Sequence, residues 1–221
     1  MANISENPVQ GLVLAQEYID RARALAKKNK RTILAIAGAP GSGKSTVARL
    51  LHEALKDISM IVPMDGYHLS NKELERLGRK ERKGAPDTFD VWGYRSLIER
   101  LKNQQENEFI YAPEFYRTIE EPIAGSIPVF NDIPLIITEG NYLLLSQGEW
   151  HTLASIFDER WFVTAPVAER QQRLIDRHCY FGRSEKDARA WVEHTDEPNA
   201  QLIEQHKQNV DLVIGWCNPK E

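Results

Sequence analysis

The eight residues Gly38-Ala39-Pro40-Gly41-Ser42-Gly43-Lys44-Ser45 constrain the fold of this chain more than any other segment. They fit G-x-x-x-x-G-K-[ST] at every defined position, a turn whose backbone N–H groups can close around phosphate oxygens. Such a turn works only between a strand and a helix, and the flanks supply both. Thr32-Ile33-Leu34-Ala35-Ile36-Ala37 is an apolar, β-branched run. Thr46-Val47-Ala48-Arg49-Leu50-Leu51-His52-Glu53-Ala54-Leu55 carries apolar residues at helical spacing. The expected ligand is a nucleoside triphosphate held by its phosphates. Lys44 would reach the β and γ phosphates, Ser45 would complete a Mg²⁺ shell, and Thr46 would neighbour the α phosphate. The structural alternative is a glycine-rich turn that only starts a helix.

Further along, Ile58–Met64 reads as a second buried strand running into Asp65-Gly66, and Ile133–Thr138 as a third running into Glu139-Gly140. Open parallel sheets bind ligands beyond the C-terminal ends of their strands, the edge from which the phosphate loop emerges. Asp65 and Glu139 are therefore expected at one site. One would hold Mg²⁺ and the other would take a proton from an attacking hydroxyl, and spacing alone does not divide the roles. Each could instead be a solvated strand-end residue or a helix cap. Further strands are expected at Arg160–Ala165 and Val210–Gly215, and helices at Pro8–Lys30, Val91–Gln104, Val167–Cys179, Glu185–His194 and Asn199–Gln208. The proline- and aromatic-containing stretch Phe109–Phe130 reads as a loop or short hairpin facing a substrate.

A length of 221 residues suits one α/β domain, with a lid near 170–195 and a substrate-binding insertion near 66–130. Net charge −4 and a pI near 5.9 give no general attraction for nucleic acid or an anionic membrane. The basic run Lys27-Lys28-Asn29-Lys30-Arg31 is accounted for by the negative end of the first helix. Without a signal segment or a membrane-length apolar run, a cytoplasmic location is expected, and Cys179 and Cys217 read as reduced thiols. Arg170, Arg173 and Arg177 share a helical face, with Arg183 just beyond. That face is either solvated or part of a segment covering a triphosphate.

Together these segments resemble the P-loop kinase family of uridine kinase, phosphoribulokinase and bacterial pantothenate kinase. The resemblance rests on Gly38–Ser45, Met64-Asp65-Gly66-Tyr67-His68, Gly84-Ala85-Pro86-Asp87-Thr88-Phe89-Asp90, Thr138-Glu139-Gly140-Asn141-Tyr142 and Arg177-His178-Cys179-Tyr180-Phe181-Gly182-Arg183. It is nearest to an uncharacterised nucleoside/nucleotide-kinase branch that often carries sugar-kinase-like labels. It implies a three-layer P-loop fold: a mainly parallel sheet, helices on both faces and a small helical lid. It also implies ATP and Mg²⁺, with phosphoryl transfer to a hydroxyl of a sugar, nucleoside or pantothenate-like alcohol. On this resemblance Asp65 is the base and Glu139 a Mg²⁺ ligand, while Arg177 and Arg183 contact phosphates. Asp87 and Asp90 line the acceptor pocket, and Tyr67, His68 and Arg117 help hold the acceptor. Tyr116 stands where relatives place an Asp, which counts against uridine. Oligomeric state stays open, since many relatives pair. Two other classes compete: a nucleotide-hydrolysing switch, to which Asp90-Val91-Trp92-Gly93 offers a D-x-x-G match, and a nucleotide-binding regulator without an acceptor.

Overall fold

The computed structural model describes residues 12–207 and 209–216. Its helices are α1 (Gln16–Ala26), α2 (Lys44–Ala54), α3 (Asn71–Arg76), α4 (Val91–Lys102), α5 (Val167–Tyr180), α6 (Glu185–Trp191) and α7 (Glu197–His206). Its strands are β1 (Thr32–Ala37), β2 (Ser59–Ile61), β3 (Ile110–Tyr116), β4 (Glu121–Val129), β5 (Leu135–Gly140), β6 (Glu159–Thr164) and β7 (Leu212–Gly215). Five strands form a parallel sheet in the order β2-β5-β1-β6-β7, while β3 and β4 make a separate antiparallel hairpin. The stretch expected to be a loop or hairpin is thus a hairpin.

The two-residue period of the strands divides the core into two layers. In β1, Ile33, Ala35 and Ala37 pack with α4 on one face, whereas Leu34 and Ile36 pack with α1 and α2 on the other. Ile136 and Phe162 join the first layer; Leu135, Ile137, Trp161 and Val163 join the second. With both faces covered, the two central strands β1 and β5 are buried at every position. A small separate core of Leu174, Ile175, Ala188 and Val192 holds α5 against α6.

Several boundaries differ from the sequence expectation for identifiable reasons. The second strand is only three residues long, because Pro63 cannot donate to the ladder and a 3-10 turn follows over Met64–Tyr67. Past α6 the chain continues as a π-helical turn, Val192–Asp196, and α7 begins at Glu197 with Pro198 in its first turn. Of the first expected helix, residues 8–11 lie outside the described residues, as do Gln208 and Cys217. Cys179 is a free, half-buried thiol. Arg31 is more than a helix-end charge: its guanidinium donates to the carbonyls of Ile133 (2.8 Å) and Leu101 (3.1 Å), tying the α4 and β5 ends together. Among the described residues no helix is long and apolar enough to cross a membrane.

Candidate active site

The phosphate loop leaves β1 at Gly38 and closes at Gly43, the left-handed N-cap of α2 (φ 95°). A side chain at Gly43 would be strained by that φ and would also collide with the Trp216 ring, its Cβ falling 2.3 Å from the nearest ring carbon. The N-terminus of α2 therefore opens towards the loop with Lys44 and Ser45 in its first turn, a place that favours anions.

Two guanidinium groups clamp the loop from behind. Arg170, 4% exposed, donates from Nη1 to the Pro40 carbonyl at 3.1 Å and from Nη2 to Glu197 Oε2 at 3.2 Å. Arg173 donates to the Gly41 carbonyl at 3.2 Å and pairs with Glu169 at 2.9 Å. With their carbonyls turned outward to α5, these peptide units are held in a fixed orientation. In this part the basic face of α5 packs on the loop and braces it.

The two acids arrive by different routes. Glu139 lies inside β5, opposite Ile36 of β1, and its Oε1 accepts a 2.9 Å hydrogen bond from the Ser45 hydroxyl. Asp65 sits in the 3-10 turn beyond β2. That turn packs on the β5 end at Gly140, where a Cβ would come within 2.6 Å of the Met64 side chain. Asp65 Oδ2 accepts from Arg117 Nη2 at 3.3 Å. Ser45 and Asp65 line two adjoining recesses, of about 520 and 330 Å³, which suits a nucleotide and a small second substrate. Lys44 opens on the larger and Glu139 on the smaller, and Phe181, at the C-terminal end of α5, reaches both.

The charges are mutually dependent. Burial pulls the Lys44 ammonium below its ordinary value, more than the attraction of Glu139 and Asp65 raises it, so it gains from an added anion. Burial pushes the Asp65 carboxyl up, but His68, Arg117, Lys44 and Arg177 outweigh this and hold it below the ordinary aspartate value. His68 Nδ1–H donates to the Asp65 carbonyl oxygen at 2.7 Å, and the ring lies against Phe89 and Phe115. Burial lowers the His68 pKa more than Asp65 raises it, which favours the neutral ring with Nε2 as an acceptor.

At the C-terminal end of α5 and just beyond it, Arg177 and Arg183 line the larger recess, and Arg183 stacks 3.9 Å over the Trp191 ring. Of the residues expected to meet an acceptor, His68 and Arg117 line the recesses, whereas three others do not. Asp90 caps α4 by accepting from the Gly93 N–H at 2.8 Å, which also explains the D-x-x-G match as a capping turn. Asp87 is exposed and pairs with Arg82 at 2.6 Å and Arg79 at 3.4 Å. Tyr67 packs edge-on against Tyr94, and burial pushes its phenol up to about 12.

Other groups in the larger recess had no local sequence signal. His178 of α5 and Asp196 of the π-helical turn form a 2.9 Å pair, and Lys83 reaches over Phe115. Asn141 Oδ1 is buried with no hydrogen-bond partner among the described residues. The oxygen donors Ser45 Oγ and Glu139 Oε1 suit a hard divalent cation such as Mg²⁺. Among the described residues no group of three or more His, Cys, Asp or Glu is arranged to hold a metal. A cation here would thus lean on these two oxygens together with phosphate and water.

No protein-family model matches the chain. A Schizosaccharomyces pombe protein provisionally named uridine kinase is 32% identical over 209 residues, covering 90% of this chain and 88% of its own. A solved Silicibacter sp. TM1040 structure, provisionally described as a fructose transport system kinase, superposes with a TM-score of 0.83 at 35% identity, over 91% of this chain and 99% of that one. A pantothenate kinase of Ligilactobacillus salivarius is 28% identical over 151 residues, 66% of this chain and 48% of its own.

Proposed function

This chain belongs to the P-loop kinase family of uridine kinase, phosphoribulokinase and bacterial pantothenate kinase, and from that premise we propose that it transfers the γ-phosphoryl group of ATP to a hydroxyl of a small molecule. The observation that carries the reading is the convergence of Lys44, Ser45, Asp65 and Glu139 on two recesses at one sheet edge.

Phosphoryl transfer asks a protein mainly for positioning and charge compensation. The loop from Gly38 through Ala39, Pro40, Gly41, Ser42 and Gly43 wraps the phosphates and offers them N–H groups of its residues other than Pro40, with Thr46 near the α phosphate. The Lys44 ammonium, short of counter-charge, meets the β and γ oxygens. Ser45 and Glu139 would hold Mg²⁺, which when bound offsets the charge of the β and γ phosphates. Asp65 accepts the proton of the acceptor hydroxyl as the new O–P bond forms and the bond to the ADP oxygen breaks. Its lowered pKa keeps it ionised at neutral pH. Arg177 and Arg183 approach the transferring group from the lid, and His68 and Arg117 hold the acceptor.

The test is an assay of nucleoside-diphosphate release from ATP or GTP, run with and without a panel of sugars, nucleosides and vitamin alcohols. A kinase releases ADP only in the presence of an accepted alcohol. GTP hydrolysis without any acceptor would favour a switch, and silence under all conditions would favour a nucleotide-binding regulator.

A further inference from the structure

Lys83, just past the 3-10 turn Lys80–Arg82, is a half-buried ammonium in the wall of the larger recess. Its Nζ donates to Asn71 Oδ1 at 2.7 Å and to the backbone carbonyl of Glu120, two neutral oxygens. Neighbouring cations are differently placed: Arg76 pairs with Glu73, Lys80 with Glu75, and Arg79 and Arg82 with Asp87. Among the described residues no carboxylate lies within ion-pair distance of Lys83. The Glu121 carboxylate is turned to the Asn71 N–H, at 3.0 and 3.2 Å. Glu120 presents its carbonyl to Lys83, and its side chain is exposed.

The hairpin turn is bent to make this arrangement. Glu120 has φ 53°, a left-handed conformation that a residue with a Cβ adopts at some cost. Its carbonyl accepts from Lys83 and from Asn71 Nδ2 at 3.2 Å, so the strained residue is the one that fixes the ammonium. Burial lowers the Lys83 pKa more than Glu120 and Glu121 raise it, as for a cation short of counter-charge.

The position of Lys83 assigns it to the acceptor and not to the nucleotide. It lies 5.1 Å over the Phe115 ring, whose neighbour at 4.5 Å is His68, itself bonded to the Asp65 backbone. The charges felt by His68 include Lys83 and Arg117. Asp65, His68, Phe115 and Lys83 thus succeed one another along one wall, a proton acceptor at one end and an unneutralised cation at the other.

We propose that the acceptor carries an anionic group, a carboxylate or a phosphate, which pairs with Lys83 while its hydroxyl meets Asp65. This rests on the kinase reading. The test is ADP release with matched acceptors that differ in the anion: glycerol, glycerate and glycerol 3-phosphate; ribose and ribose 5-phosphate; panthenol and pantothenate. The wild-type chain should use an anionic member with kcat/KM at least about tenfold above its neutral partner, a factor typical of one charge-assisted bond. The carboxylate and phosphate arms identify which anion. Lys83→Met should narrow that preference about tenfold through KM, and Lys83→Arg, which keeps the cation, should retain most of it. Preference for neutral members, or an equal loss on both in Lys83→Met, would overturn the assignment while leaving the kinase reading intact. ADP release with none of the acceptors would overturn both.

Discussion

Replacing Arg170 by Met should destabilise the protein and loosen its phosphate loop at once, and the size of the effect follows from the contacts. The side chain is 5% exposed, so its methylene stem is matched by Met and little cavity forms. Lost are a charged hydrogen bond to the Pro40 carbonyl and the partner of Glu197. A hydrogen bond to a charged group contributes roughly 1.5–3 kcal/mol. Stranding a fully buried carboxylate costs roughly 3–5 kcal/mol, but Glu197 is 20% exposed and keeps Gln171 at 3.3 Å, so its share is well below that range. We expect about 3 kcal/mol in total. At roughly 2–4 °C per kcal/mol for a chain of this size, the melting temperature falls by roughly 6–12 °C. The assay is thermal unfolding followed by circular dichroism without nucleotide, then repeated with MgATP. With the Pro40 carbonyl released, the loop N–H groups lose their fixed orientation, and the stabilisation by MgATP should shrink. Adding Glu197→Gln removes the stranded charge and should recover part of the loss. A single variant that melts within about 1 °C of the parent and responds normally to MgATP would refute the clamp.

Stability should also depend on pH through His68. Its folded pKa lies below the ordinary 6.5, so between the two values the unfolded chain binds a proton that the folded chain does not. Stability is therefore full above 6.5 and falls as the pH drops below it, with His52 adding in the same direction. Asp65, lowered from 3.8, contributes evenly across this window and is lost only as the pH falls through its folded value. Urea midpoints between pH 7 and 5 should slope downward, less so in His68→Gln; an unchanged slope in that variant would remove His68 as the cause. Arg183→Ala should raise the ATP concentration for half-maximal rate or lower turnover. Unchanged steady-state kinetics would leave Arg183 with only its Trp191 stack.

What the sequence disclosed, and what it hid, divides along local and non-local lines. The strand, loop and helix around Lys44 were legible because glycine placement and apolar period are written in consecutive residues. The meeting of the Asp65 and Glu139 segments followed from one topological rule about strand ends. Asp87 and Asp90 do not line the recesses, because a motif gives a position in the chain and not a side-chain direction. The Asp90 carboxylate is taken by the Gly93 N–H one helical turn away. Arg170 carried a periodic signal, but its partners Pro40 and Glu197 lie 130 and 27 residues off, and nothing local announced them. Lys83 was silent for the same reason: its oxygen partners come from α3 and from the turn of a hairpin.

The central claim, that Asp65 takes the proton in a transfer driven from the phosphate loop, is tested most directly by Asp65→Asn in the acceptor-dependent assay, with ATP affinity measured on the same samples. Loss of a general base lowers the rate by roughly 10²–10⁴-fold. We predict such a fall in kcat with ATP binding nearly unchanged. A variant that turns over within about twofold of the parent would contradict the account.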